Sequence, residues 1–122
     1  MSGQYAKTTT VSVEKSRAEI ERTLERYGAN QFAYGRDDDR GIASIQFSAN
    51  DRHIRFVLTF PSRGEYRFTH SKRGTRTAEN AYAQWEQACR QRWRALLLCI
   101  KAKLEAVECG ISEFEDEFMS HS

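Results

Sequence analysis

A chain of 122 residues with 30% charged, 39% hydrophobic and 11% aromatic side chains and a net charge of +2 can bury a modest core without staples, and is too rich in aromatics for a disordered polymer. No Pro- or Gly-rich linker divides it, so a single domain, 1–122, is expected. No apolar run approaches the ~20 residues of a membrane span and MSGQYAKTTT is not a signal peptide, which points to the cytoplasm and away from membranes.

The charge is unevenly laid out. From Pro61 to Lys103 there are ten Lys or Arg against Glu65, Glu79 and Glu86, a local +7, whereas from Leu104 onward there are six acids and no base. Such blocks suggest an anionic partner for the middle and a solvated or docking tail at the end.

Residues 1–10 are polar and small and are expected to fray, with a short extended segment at Thr10-Val11-Ser12-Val13. Ser16-Arg17-Ala18-Glu19 reads as a capping box, and Ile20, Leu24 and Tyr27 follow at helical spacing. The spacing predicts a helix over 16–27, stopped by Gly28. Three strands come next, in which Phe32 and Tyr34 share a face, then Ala43, Ile45 and Phe47 share a face, and then Ile54, Phe56, Leu58 and Phe60 point inward. His53, Arg55, Val57 and Thr59 alternate outward. Short turns at Arg36–Gly41 and Ser48–Asp51 make this an antiparallel meander.

Pro61 ends the sheet. The long polar connection 61–78 interleaves Arg63, Arg67, Lys72, Arg73 and Arg76 with Tyr66, Phe68 and His70, and Tyr66–Thr69 is a candidate edge strand. Glu79 to Cys109 then runs without Gly or Pro. Tyr82, Trp85, Cys89, Trp93, Leu96, Ile100, Leu104 and Val107 share one face of the predicted helix, which would be about 46 Å long. Ala88, Ala95, Cys99, Ala102 and Ala106 form a small-residue band beside that stripe, and Leu98 interrupts the polar face. A helix of this length overhangs a sheet about 15 Å wide. With Ala95, Leu98 and Ala102 as the protein interface, a two-fold homodimer is expected. Gly110 closes the helix, and Ser112-Glu113-Phe114-Glu115 reads as a second capping box opening a helix near 113–119. The fold class is α+β, ordered α-β-β-β-α-α, with a three-stranded antiparallel meander packed on a long C-terminal helix.

The sequence carries no catalytic motif. P-loop, G-x-S-x-G and H-E-x-x-H patterns are absent, so a non-enzymatic role without a cofactor is expected. Cys89, Cys99 and Cys109 lack zinc-site spacing and read as buried reduced thiols. Asp37-Asp38-Asp39 between two arginines reads as a solvated hairpin tip rather than a metal site. Cations interleaved with aromatics suit a nucleic acid, with phosphates neutralised and bases stacked. The candidate binding residues are Arg63, Tyr66, Arg67, Phe68, Lys72, Arg73 and Arg76, extended by Arg90 and Arg94 on the helix.

Two resemblances accompany these readings. The helix, three-strand meander, helix order is similar to double-stranded RNA-binding domains, and Ser71-Lys72-Arg73 resembles their basic helix start. This chain departs from them in its longer connection and longer last helix. VSVEKSRAEIERTLERYGA at 11–29, IRFVLTFP at 54–61 and QRWRALLLCIKAKLEAVECGISEFEDEFM at 91–119 resemble a family of small uncharacterised proteins of bacteriophage and prophage genomes. That resemblance implies a phage accessory protein in a bacterial cytoplasm, serving DNA metabolism or blunting host defence such as CRISPR. The partner is then nucleic acid, DNA or RNA, or alternatively a host or phage protein bound by an inhibitor or adaptor.

Overall fold

The computed structural model describes residues 12–121. Helix α1 spans Val13–Glu25, and strands β1 to β3 span Asn30–Asp37, Ile42–Ala49 and Arg52–Thr59. A short helix α2, Tyr66–Thr69, and a small hairpin, β4 His70–Ser71 with β5 Gly74–Thr75, precede the long helix α3, Ala78–Glu108. Helix α4, Phe114–Phe118, and a 3-10 turn, Met119–His121, follow. The fold is α+β, with a three-stranded antiparallel sheet against the long C-terminal helix. No described helix is long and apolar enough to cross a membrane. The fraying expected of residues 1–10 and the extension at Thr10-Val11 lie outside the described residues.

Helix α1 begins one turn before the expected box. Ser12 is the N-cap, its hydroxyl accepting the Lys15 N–H at 3.1 Å. Starting there brings Val13 against the core beside Ile20 and Leu24, and that extra burial favours the longer helix. Ser16, expected as the cap, instead sits fully buried inside the helix with its hydroxyl unpartnered. At the other end Gly28 takes φ +87°. The Ala29 N–H there returns to the Leu24 carbonyl at 3.1 Å, a left-handed exit that glycine permits.

The strands lie in the order β1-β2-β3. Ile45 pairs with Phe56 and Phe47 with Ile54, and all four side chains are buried. His53, Arg55, Val57 and Thr59 point outward and are exposed, as the alternation predicts. The β2–β3 turn is Asn50-Asp51, with φ of +51° and +60°. A two-residue turn left-handed at both positions matches the twist of its strands.

Thr77 caps α3, accepting the Asn80 N–H at 3.1 Å. Cys89, Trp93, Leu96, Ile100 and Leu104 of the expected stripe are buried, and Leu97 is buried with them. Leu97, Lys101 and Leu104 share a face at i, i+4 and i+7. The Lys101 ammonium reaches Glu19 of α1, and the Tyr27 hydroxyl donates to the Leu104 carbonyl at 3.1 Å. A second helix covers that side. Cys99 and Cys109 are exposed, and only Cys89 is a buried thiol. Ten residues advance a helix by about 1000°, some 80° short of three full turns, so cysteines spaced by ten leave the buried face.

Two local expectations are corrected. Tyr66–Thr69 forms a single helical turn, not an edge strand, because burial of Phe68 against the interior decides its conformation. The second capping box is not formed either: α4 starts after Glu113 with no side-chain cap. Ser112 belongs to the exit from α3, its N–H donating to the Ala106 carbonyl at 3.1 Å. Stacking of Phe114 on Phe118 at 4.6 Å, and of Phe118 edge-on to Phe56 at 6.1 Å, docks α4 instead.

Candidate nucleic-acid interface

The basic connection divides into two parts. The first is the knob formed by α2 and the β4–β5 hairpin. Its anchor is Phe68, only 4% exposed, so this ring is core and has no face to offer a base. Arg76 is equally committed. Its guanidinium donates to the Arg67 and Phe68 carbonyls, both at 3.0 Å, satisfying acceptors that a four-residue helix leaves open at its C-terminus. Arg67 lies over the Phe68 ring at 4.4 Å and pairs with Glu65 at 2.8 Å. Both sequence candidates Phe68 and Arg76 therefore hold the knob together.

What the knob exposes is different. Tyr66 is 73% exposed and stacks parallel on His70 at 4.0 Å, while the Thr69 hydroxyl lies 2.7 Å from His70 Nδ1. The imidazole is thus held as a backing plate beneath the phenol. Lys72 and Arg73 occupy the hairpin turn and are exposed. None of the described acids pairs with either.

The second part starts at Pro61. Its carbonyl accepts the Trp85 indole N–H at 2.8 Å, which fixes the start of the connection on α3. Arg63 then folds over the aromatic pair, its guanidinium 4.4 Å from the Trp85 ring centre and 4.9 Å from that of Tyr82. These rings form one wall of a cleft of about 1090 Å³ between α1, the β1–β2 turn and α3. Arg90 lines it too, and so do Arg17, Arg36 and Arg40, which the sequence reading did not select. Those three sit on separate elements, and in sequence Arg36 and Arg40 are masked by the acids between them.

The electrostatics of the cleft are mixed. Asp38, Asp39, Glu14 and Glu86 share its lining. Arg36 pairs with Asp38 at 2.9 Å, and the Asp37 carboxylate accepts the Arg40 backbone N–H at 3.1 Å. Arg17 lies over Tyr34 at 5.0 Å. The Tyr34 phenol is raised well above its usual range by burial and then by the neighbouring Glu21 carboxylate. Burial pushes the Cys89 thiol up to about 11, against the opposing pull of Arg63. At neutral pH it is a protonated wall residue, without nucleophilic character. Among the described residues no group of three or more His, Cys, Asp or Glu is placed to hold a metal ion.

Arg94, one turn beyond Arg90, does not line the cleft and is exposed beside Ala95, Leu98 and Ala102. Three other cations of the helix are engaged internally, among them Lys103, whose ammonium donates to the Glu117 carbonyl at 3.0 Å. Arg92 donates to the Thr59 carbonyl through Nε at 3.0 Å and Nη2 at 2.6 Å, and Lys101 pairs with Glu19 at 2.7 Å. That hydrogen bond holds the Glu19 carboxyl below its usual range. Of the sequence candidates, the structure brings Arg63 and Arg90 into one cleft, leaves Tyr66, Lys72 and Arg73 on the knob, and sets Arg94 apart. No family model matches this chain, and no curated protein or solved structure does.

Proposed function

We propose that this is a non-enzymatic bacteriophage accessory protein that binds single-stranded nucleic acid in the host cytoplasm. The observation that carries the binding reading is Arg63 layered on Tyr82 and Trp85 at the cleft wall. Arginine planes and aromatic rings are platforms for unpaired bases. Tyr66, backed by His70, supplies a second platform, and Lys72, Arg73 and Arg90 supply phosphate contacts. A duplex hides its base faces, so exposed rings favour single strands. The phage origin rests on the sequence resemblance alone.

Trp85 and Trp93 both line the cleft, so intrinsic fluorescence reports its occupancy. Titration with an unstructured oligonucleotide should quench that emission, a duplex of equal length should do so less, and log affinity should fall linearly with log salt. The pair Arg63→Ala and Tyr66→Ala should each cost about 1–3 kcal/mol of binding, the usual loss per stacked base. Absence of binding to single strands and duplexes at low salt would reject the proposal.

A protein partner is the second reading, that of an inhibitor or adaptor. It is favoured by the acidic end of the chain, where Ile111 is 80% exposed beside the acids of α4. Capture of a partner that survives nuclease treatment distinguishes it.

A further inference from the structure

The long helix keeps one face uncovered. Gln91, Ala95, Leu98, Ala102, Glu105 and Cys109 are all exposed and recur at steps of four and three, the spacing of a helix–helix seam. Leu98, at the centre of the row, is 51% exposed. The charges in and beside the row are sorted along its length. Arg90 and Arg94 lie in the N-terminal half, and Glu105 and Glu108 lie in the C-terminal half. None of these four forms an ion pair among the described residues.

We propose that a second copy of this chain packs antiparallel across this face, on a two-fold axis passing beside Leu98. The charge pattern selects the occupant and its direction. A two-fold axis at Leu98 sets each residue opposite the one equally far on the other side of 98. With about 1.5 Å of rise per residue, Arg90 comes level with Glu105 of the other copy to within about 1.5 Å. Glu108 is offset from Arg90 by about 3 Å, and Glu105 from Arg94 by about 4.5 Å. Arg90, Arg94, Glu105 and Glu108 project from the same border of the row, so the opposite charges meet along one edge of the seam. A parallel two-fold pair would carry this border to opposite edges of the seam, so the four charges would find no partner among themselves. Ala95 and Ala102 then oppose one another around the leucines, where small side chains let the backbones approach. The interface leaves Lys101–Glu19 and Arg92–Thr59 in place.

The cysteines act as a built-in ruler. Both Cys99 and Cys109 are free and exposed. Across this axis the two Cys99 residues lie about 3 Å apart along the helix direction, whereas the two Cys109 residues lie about 33 Å apart. A short bis-maleimide added to the intact protein should therefore give a covalent dimer that persists in Cys109→Ser and disappears in Cys99→Ser.

Sedimentation at micromolar concentration should show twice the 14.1 kDa chain mass, and Leu98→Asp should return it to the chain mass. Leu98 is exposed, so its helicity by circular dichroism should be unchanged. Arg94→Glu and Glu105→Arg should each weaken the dimer severalfold, and combining them should restore it. A monomer at every concentration overturns the proposal. So does a dimer indifferent to Leu98→Asp, a bridge through Cys109, or a charge swap that fails to rescue.

Discussion

Trp85 donates its indole N–H to the carbonyl of Pro61 at 2.8 Å, across 24 positions of sequence. This bond ties the second residue after the sheet to the second turn of α3, and the Arg63 stack is built on the ring that it fixes. Trp85→Phe keeps an aromatic face but loses the donor. It should cost about 0.5–1.5 kcal/mol in chemical unfolding and raise amide exchange over 62–65. Equal stability and exchange would show that packing alone holds the connection.

Three serine and threonine positions separate the two capping interpretations. Thr77→Ala removes an observed cap and should cost about 1 kcal/mol. Ser112→Ala should stay within about 0.5 kcal/mol of the parent, because α4 has no side-chain cap to lose. Ser16→Ala should stabilise, by roughly 0.5–1 kcal/mol, since it removes a buried hydroxyl without a partner and raises helix propensity. Denaturant midpoints of the three variants decide the matter. A loss at Ser16 would mean that the helix begins at the later box after all.

The pH dependence should come from the end of the chain. His121 packs on Phe56 with ring centres 4.1 Å apart. Burial, helped by Lys103 of α3, holds its imidazolium pKa below the usual histidine range. Lys103 in turn pairs with Glu117 of α4 at 3.7 Å. A depressed pKa means that the unfolded chain takes up the proton first, so stability falls as pH drops through the ordinary histidine value near 6.5 toward the lower folded one. Thermal unfolding should be lower at pH 5 than at pH 7.5, and His121→Phe should flatten that difference. An unchanged slope in the variant would remove His121 from the account.

The sheet and the long helix were legible because each has its own period. Residues 53–60 alternate strictly, and the stretch from 79 to 109 has neither Gly nor Pro to interrupt a stripe at three and four. The α2–hairpin knob was not legible. Elements of four and two residues are too short to show periodicity, and what fixes them is non-local: burial of Phe68 and the guanidinium of Arg76 on two carbonyls. The first cap was misread because both Ser12 and Ser16 suit the position locally. Core contact by Val13 decides between them. The cleft escaped for a further reason. Arg17, the Arg36–Arg40 turn and Arg63 come from three segments that meet only after folding, and the acids between Arg36 and Arg40 gave those two a bland explanation.

The pairing of the first helix with the last long one also governs how the chain is made. Glu19 and Lys101 are 82 positions apart, and Tyr27 and Leu104 are 77 apart. During synthesis α1 and all three strands emerge before the helix that covers Ile20, Leu24, Ile45 and Phe47. At ~5–20 residues per second, several seconds pass between completion of β3 and arrival of Leu104. Through that interval the nascent chain presents a greasy, half-built sheet with both edges open. The basic connection emerges next, directly beside it, and α3 then closes the core.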